Sequence, residues 1–160
     1  MPTATGTSLA SVLGTATVVS IGSITGGTGT ETFVPIDEIS DAKFSGRKRA
    51  TTTTTNFQSL NKARKLGTIL DCGTLSLTFN RVPNDPGQLA LSAANVEGSA
   101  YDFTVQLPVN AKVGQTTKGD LITLSGIVTE CSGFDVSLSK QAEITATIEI
   151  DGDYSFTAGS

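Results

Sequence analysis

Ala142-Glu143-Ile144-Thr145-Ala146-Thr147-Ile148-Glu149-Ile150-Asp151 alternates without a break. Ala142, Ile144, Ala146, Ile148 and Ile150 face one way and Glu143, Thr145, Thr147, Glu149 and Asp151 the other, the period of a strand with one dry and one wet side. A slip of one residue would invert all ten positions, so the register is strongly specified. Thr74-Leu75-Ser76-Leu77-Thr78-Phe79-Asn80 repeats the pattern, with Leu75, Leu77 and Phe79 opposite Thr74, Ser76, Thr78 and Asn80. Tyr101 to Leu107 also alternates and stops at Pro108, whereas Asp120 to Cys131 is more evenly apolar and is expected to be more buried. A short strand is expected at Phe134 to Leu138. Asp151-Gly152-Asp153 reads as a tight turn that returns Tyr154-Ser155-Phe156 as a last strand.

Composition agrees with strands joined by turns. The chain has 160 residues, 38% of them hydrophobic, with 25 threonines, 17 glycines and five prolines. That is enough for one domain with its own core, and it favours β structure over long helices. One helix start stands out. Asp85 suits the cap, Pro86 the first helical position and Gln88 the third, the place of a capping box. The helix is predicted from Pro86 to about Ala94, with Leu89 and Ala93 on its packed face. Six or seven strands and one short helix then make a mainly β sandwich or partly closed barrel.

The domain is expected over residues 32–160, starting with Phe33-Val34-Pro35-Ile36. Pro35 cannot donate to a ladder, so that strand lies at an edge or begins just after it. Residues 1–31 are rich in Thr, Gly and Ser, with apolar islands at Leu9, Val12, Leu13, Val18, Val19 and Ile21. They read as a flexible arm, or as an arm whose Val18-Val19-Ser20-Ile21 adds a strand to a neighbouring subunit. Residues 41–66 form a long excursion with no core of its own, and such connections usually serve a function. Strand character at Thr68-Ile69-Leu70 resumes the body.

Charge is unevenly placed. The formal net charge is −4, yet seven of the eleven Lys and Arg residues fall from Lys43 to Lys65. From Gly67 onward, eleven acids face four bases. An acidic body with one basic segment can attract copies of itself and is a poor coat for nucleic acid. Arg47, Lys48 and Arg49, followed by Thr51, Thr53 and Thr55 and then by Lys62, Arg64 and Lys65, form the candidate contact segment. Its guanidinium groups suit carboxylates of another subunit. A solvated loop and a phosphate clamp are the other readings, the last without a neighbouring aromatic to stack on bases.

Signs of catalysis are missing. There is no histidine, hence no common neutral-pH base and no usual metal ligand. Asp151 with Asp153, and Asp37 with Glu38, sit at solvated turns rather than as an acid–base pair. Asp151-Gly152-Asp153 is too short for a calcium loop. Gly26-Gly27-Thr28-Gly29 lacks the lysine of a phosphate loop. No cofactor is expected. Cys72 and Cys131 are expected as unpaired core residues in strands. No stretch approaches 18 apolar residues and no signal-peptide pattern opens the chain, so no membrane span is expected.

The order of these segments resembles a known family. Phe33-Val34-Pro35-Ile36-Asp37-Glu38-Ile39, the basic and threonine-rich loop, Leu66 to Asn80, Pro83-Asn84-Asp85-Pro86-Gly87-Gln88, and the late strands ending in Tyr154-Ser155-Phe156-Thr157 look like the major tail tube protein of bacteriophages with long non-contractile tails. The resemblance spans roughly residues 33–157, and the Asn84 to Gln88 portion is its most specific part. It implies a tail-tube-type β-sandwich whose copies form hexameric rings that stack into a hollow tube, built in the host cytoplasm and carried in the virion tail. It also implies that the tube holds a tape measure protein, meets tail terminator and distal tail proteins, and passes DNA without specific binding. The loop over about 41–66 would reach the adjacent ring. An acidic, threonine-rich lumen would keep DNA sliding, so either Glu143, Thr145, Thr147 and Glu149 or Thr74, Ser76 and Thr78 are expected to line it. A capsid decoration or tail terminator subunit is the nearest alternative. A soluble adhesin or carbohydrate-binding module is a more distant one, since Trp is absent.

Overall fold

The alternation at Ala142 belongs to the longest strand of a mainly β fold. The computed structural model describes residues 17–24, 30–55, 62–131, 133 and 135–160. Its strands are β1 (Val18–Ile24), β2 (Val34–Pro35), β3 (Ile39–Phe44), β4 (Lys48–Thr53), β5 (Lys65–Asp71), β6 (Thr74–Asn80), β7 (Ala100–Gln106), β8 (Leu121–Cys131), β9 (Asp135–Ser137) and β10 (Lys140–Thr157). A helix, α1 (Pro86–Glu97), lies between β6 and β7, and a single 3-10 turn spans Ala111–Val113. The main sheet runs β2-β1-β7-β8-β10-β6-β3, all antiparallel, with β9 added to β10. β4 and β5 form a separate two-stranded sheet.

One core explains the shape. Val19 and Ile21 of β1, Phe103 and Val105 of β7, Leu124 and Val128 of β8, Ile144, Ala146 and Ile148 of β10, and Leu75, Leu77 and Phe79 of β6 belong to one buried cluster. Strands from both ends of the sheet share that cluster, so the sheet curls over it as a sandwich-like, partly closed barrel. The β2–β3 connection crosses the seam between the ends. Ile36 donates its N–H to the Val19 carbonyl of β1 (2.9 Å), and two residues later the Glu38 carbonyl accepts from Asn80 of β6 (3.0 Å). Glu38 makes this crossing at φ 58°, a left-handed conformation that is uncommon outside glycine.

The helix start locks the crossing. Asp85 accepts from the Gln88 N–H (2.8 Å), as expected of a cap. Gln88 does not complete a capping box. Its fully buried amide accepts from Val82 N (3.1 Å) and donates to Asp37 O (3.2 Å) and Asn80 O (2.8 Å), tying the seam crossing to the end of β6. Gly87 is needed for the close approach, because a Cβ there would stand 2.1 Å from Pro35 O and 2.8 Å from Ile36 Cα. The anchored residues set the helix rotation. Gly87, Gln88, Leu91 and Ala94 are buried, while Leu89 and Ala93, expected on the packed face, point outward. The helix also runs one turn past Ala94, to Gly98 at φ 70°, whose N–H closes on Ala94 O (2.9 Å).

Three further expectations change. Val18 to Ile21 is not a strand for a neighbour but part of β1, paired with β2 and β7 of its own chain. Val19 and Ile21 are fully buried, and each such burial contributes about 1.5–3 kcal/mol against the ordering cost of this glycine-rich region. The domain therefore includes residues before 32. The remaining islands Leu9, Val12 and Leu13, and the glycines at 26–29, lie outside the described residues. Asp151-Gly152-Asp153 is not a reversing turn. It is a bulge with Gly152 at φ 87°, after which β10 continues along β8 from Tyr154↔Leu124 to Thr157↔Leu121. The strand expected at 134–138 is β9, over Asp135–Ser137; Phe134 lies outside the described residues. Pro35 sits in the short edge strand β2, where its missing N–H costs no ladder bond.

Candidate assembly surfaces

Two of the polar rows read from the sequence turn out to be one surface. In the β10–β6 ladder Glu143 is paired with Asn80, Thr145 with Thr78, Thr147 with Ser76 and Glu149 with Thr74. The alternative lumen rows therefore stand side by side on the face away from the core. β3 extends this face by pairing Asp41 with Thr78 and Lys43 with Ser76, and β8 by pairing Glu130 with Thr147. Beyond it, β7 adds Asp102 and Thr104 opposite Ser125 and Thr123. The result is a broad hydroxyl and carboxylate face in which acids outnumber Lys43, its cation at the β3 edge. Such a surface is well hydrated and repels phosphate.

The second surface is the β4–β5 hairpin. Every residue of both strands is exposed, and among the described residues the strands pair only with each other. Thr54 N to Arg64 O (2.8 Å) carries the ladder past β4. The six residues of β4 at about 3.3 Å each give a reach of roughly 20 Å. Lys48, Arg49, Thr51 and Thr53 lie on β4, Lys65 on β5, and Thr55, Lys62 and Arg64 at the strand ends toward the tip; all are exposed. Residues 56–61, within the expected loop, lie outside the described residues. The expected boundaries 41–66 shift, because 41–44 belong to β3 of the main sheet and the hairpin runs on to Asp71. Thr68-Ile69-Leu70 is likewise a hairpin strand, not one of the body. β5 carries apolar residues whose exposure the sequence reading did not foresee: Leu66, Ile69 and Leu70 are 62%, 87% and 39% exposed. The signal was present, since an apolar run directly after a basic, polar loop marks a surface with something to bury.

Arg47 differs from its neighbours in the basic cluster. Its Nε donates to Asp153 Oδ1 (2.9 Å) and its Nη2 to the Tyr154 carbonyl (3.0 Å), while the guanidinium sits 4.2 Å from the centre of the Tyr154 ring. Phe44 meets the same ring edge-to-face at 4.8 Å. Hydrogen bonding to Arg47 lowers the Asp153 pKa, and the same bond raises that of Arg47. Arg47 thus fixes the base of the hairpin to the β10 bulge and is committed within its own chain, whereas Lys48 and Arg49 extend beyond it. Asp153 is the partner the sequence could not reveal, 106 residues away.

Neither cysteine forms a disulfide. Cys72 is buried in the turn between β5 and β6, not in a strand as expected, and Cys131, at the end of β8, has its thiol pKa pushed up by burial. Among the described residues no group of three or more His, Cys, Asp or Glu side chains could hold a metal ion. Among them, no helix is long and apolar enough to cross a membrane.

No family model and no curated protein matches the sequence. Solved structures do. The chain is similar to a chain of the SPP1 tail tube, at 13% identity over 92% of this chain and 80% of that one, with a TM-score of 0.64. A chain of the tail of an empty GTA particle, refined with C6 symmetry, matches at 18% identity over 88% and 96%, with a TM-score of 0.62. A chain of the sheath/tube terminator of an extracellular contractile injection system matches at 14% identity over 92% and 97%, with a TM-score of 0.64. The chain has the fold shared by tail tubes and injection systems.

Proposed function

We propose that this chain is the repeating structural subunit of a hollow tail tube. The observation that carries the reading is the β4–β5 hairpin, fully exposed, bearing Leu66, Ile69 and Leu70, and standing off a body that is already complete. A lone two-stranded ribbon is marginal in water and gains its order from a partner. In the proposal that partner is the subunit of the adjacent ring. The basic hairpin meets the acidic body of the next copy, so rings stack head to tail. Six copies form each ring, in line with the six-fold symmetry of the GTA tail whose fold the chain shares.

The joined polar face of β3, β6, β10 and β8 lines the lumen. Its threonines and glutamates hold water and repel phosphate, so DNA passes without binding, and a tape measure protein occupies the channel before ejection. The assembled protein resides in a virion tail after assembly in the host cytoplasm, with tail terminator and distal tail proteins at the two ends. A terminator role is the second reading, favoured by the likeness to the sheath/tube terminator structure.

Electron microscopy of the purified protein separates these readings. Long tubes are expected; single closed rings would favour the terminator, and persistent monomers at high concentration would remove both. Lys48 is paired with Asp71, so a two-residue Asn-Gly turn can replace residues 49–70 without disturbing the body. That variant is expected to fold as a monomer and form no tubes.

A further inference from the structure

Residues 107–120, which join β7 to β8, contain a single 3-10 turn at Ala111–Val113. That turn closes on itself: Val113 N–H and Gln115 N–H donate to Asn110 O (3.2 Å each), and Gly114 N–H donates to Ala111 O (3.2 Å). The next stretch is held from elsewhere. Thr116, Thr117 and Lys118 direct three consecutive N–H groups at one oxygen, Ser160 O, at 3.0, 2.9 and 3.1 Å. Ser160 N–H returns a bond to Lys118 O (3.1 Å). Successive N–H groups aimed at one point form a concave seat for an oxygen, and the segment that follows β10 fills it.

A side-chain relay joins this seat to the turn. Gly159 N–H donates to Asp120 Oδ1 (2.8 Å), the same oxygen accepts from Gln115 Nε2 (2.6 Å), and Gln115 Oε1 accepts from Asn110 N–H (3.0 Å). Asn110 and Gln115 are buried, so breaking the relay leaves polar groups unpaired away from water. Close approach excludes side chains at two positions. A Cβ at Gly159 would stand 2.2 Å from Lys118 O and 2.8 Å from Gln115 Nε2, and one at Gly119 would stand 1.9 Å from Leu107 O.

We propose that residues 158–160 are a latch: seated, they hold the β7–β8 connection in one conformation, and unseated, they release it while the sheet stays folded. Among the described residues, neither residues 107–120 nor residues 158–160 contribute to the buried apolar cluster, so the latch can open as a local unit. The seated connection displays Val109 and Val113, 46% and 56% exposed, on either side of Lys112 in sequence. Two surface segments are thereby coupled. A partner that prefers the seated connection tightens the hold on Ser160, and one that draws off residues 158–160 frees the connection. The latch operates within one folded chain and does not depend on assembly into a tube.

The test is amide hydrogen exchange on the full chain, at a concentration where sedimentation shows monomer. Gly159→Val is expected to raise exchange at residues 116–118 roughly tenfold or more, while Leu77 and Ile148 in the core strands keep their wild-type rates. Asp120→Ala is expected to reproduce the rise, and the two changes together to add little beyond either alone, because both act through one contact. Unchanged exchange in Gly159→Val would overturn the proposal by showing that the connection orders itself. A rise that extends to Leu77 and Ile148 would overturn it by showing that residues 158–160 belong to the cooperative fold. Additive effects of the two changes would also overturn it, by separating Asp120 from the latch.

Discussion

Thr147 stands directly opposite Ser76 at the middle of the β10–β6 ladder, with Glu149 opposite Thr74 on one side and Glu143 opposite Asn80 on the other. Two rows that look like alternatives along the chain are one surface in space, and its charge comes chiefly from the two glutamates.

Replacing both with lysine, Glu143→Lys and Glu149→Lys, is expected to leave the fold and tubes intact, since neither side chain enters the core. DNA delivery should fall by roughly an order of magnitude or more, because a cationic lumen repeated through stacked rings would hold phosphates. Micrographs of the tubes and a delivery assay check both halves. Normal delivery through intact mutant tubes would remove this face from the lumen.

Gln88 makes three part-buried hydrogen bonds that tie the seam crossing at Asp37 to the end of β6. Gln88→Leu keeps most of the volume but leaves Val82 N–H and two carbonyls unpaired, at about 1–3 kcal/mol each. A loss of several kcal/mol is expected in urea denaturation. A loss below about 1 kcal/mol would show that water replaces the amide at little cost.

The strands with one clean dry face were legible because their alternation is a direct consequence of burial. Leu75, Leu77 and Phe79 needed no tertiary knowledge. β1 was not legible in the same way, because glycines dilute its pattern and its partners Phe103 and Val105 lie about 85 residues away. The helix was legible in its caps but not its rotation, which is set by hydrogen bonds from Gln88 to groups on other elements. Asp153 as the partner of Arg47, and β10 continuing through Gly152, likewise depend on contacts that no local pattern encodes. At the candidate site the polar rows were readable, whereas their adjacency is a property of strand order.

Gly87 and Gly98 bracket the helix for different physical reasons, and alanine distinguishes them. At Gly87 the added methyl collides with the backbone of Pro35 and Ile36, neither of which can rotate away. Gly87→Ala is expected to cost about 2–4 kcal/mol and to weaken the seam. At Gly98 nothing lies within 4 Å, and only the left-handed backbone opposes a side chain. Gly98→Ala is expected to cost about 1 kcal/mol. Equal losses in paired denaturation curves would refute the steric reading of Gly87.

The Arg47–Asp153 contact makes the hairpin base sensitive to acid. Asp153 titrates lower in the folded chain than in the unfolded one, chiefly because Arg47 donates to it. The contact's contribution is therefore fully present above the unfolded pKa of Asp153 and is lost as pH falls through the depressed folded value. Arg47, shifted upward, stays charged throughout this range. Both groups are exposed, so salt should weaken the pair and global stability should change little. The local readout is the Arg47 Nε–H resonance, expected to be sharp at neutral pH and to merge with those of solvated arginines in acid. In Asp153→Asn it should already be merged at neutral pH and show no acid transition. A wild-type resonance unmoved by acid, or an unaltered one in the variant, would show that the Tyr154 ring and carbonyl hold the guanidinium without the carboxylate.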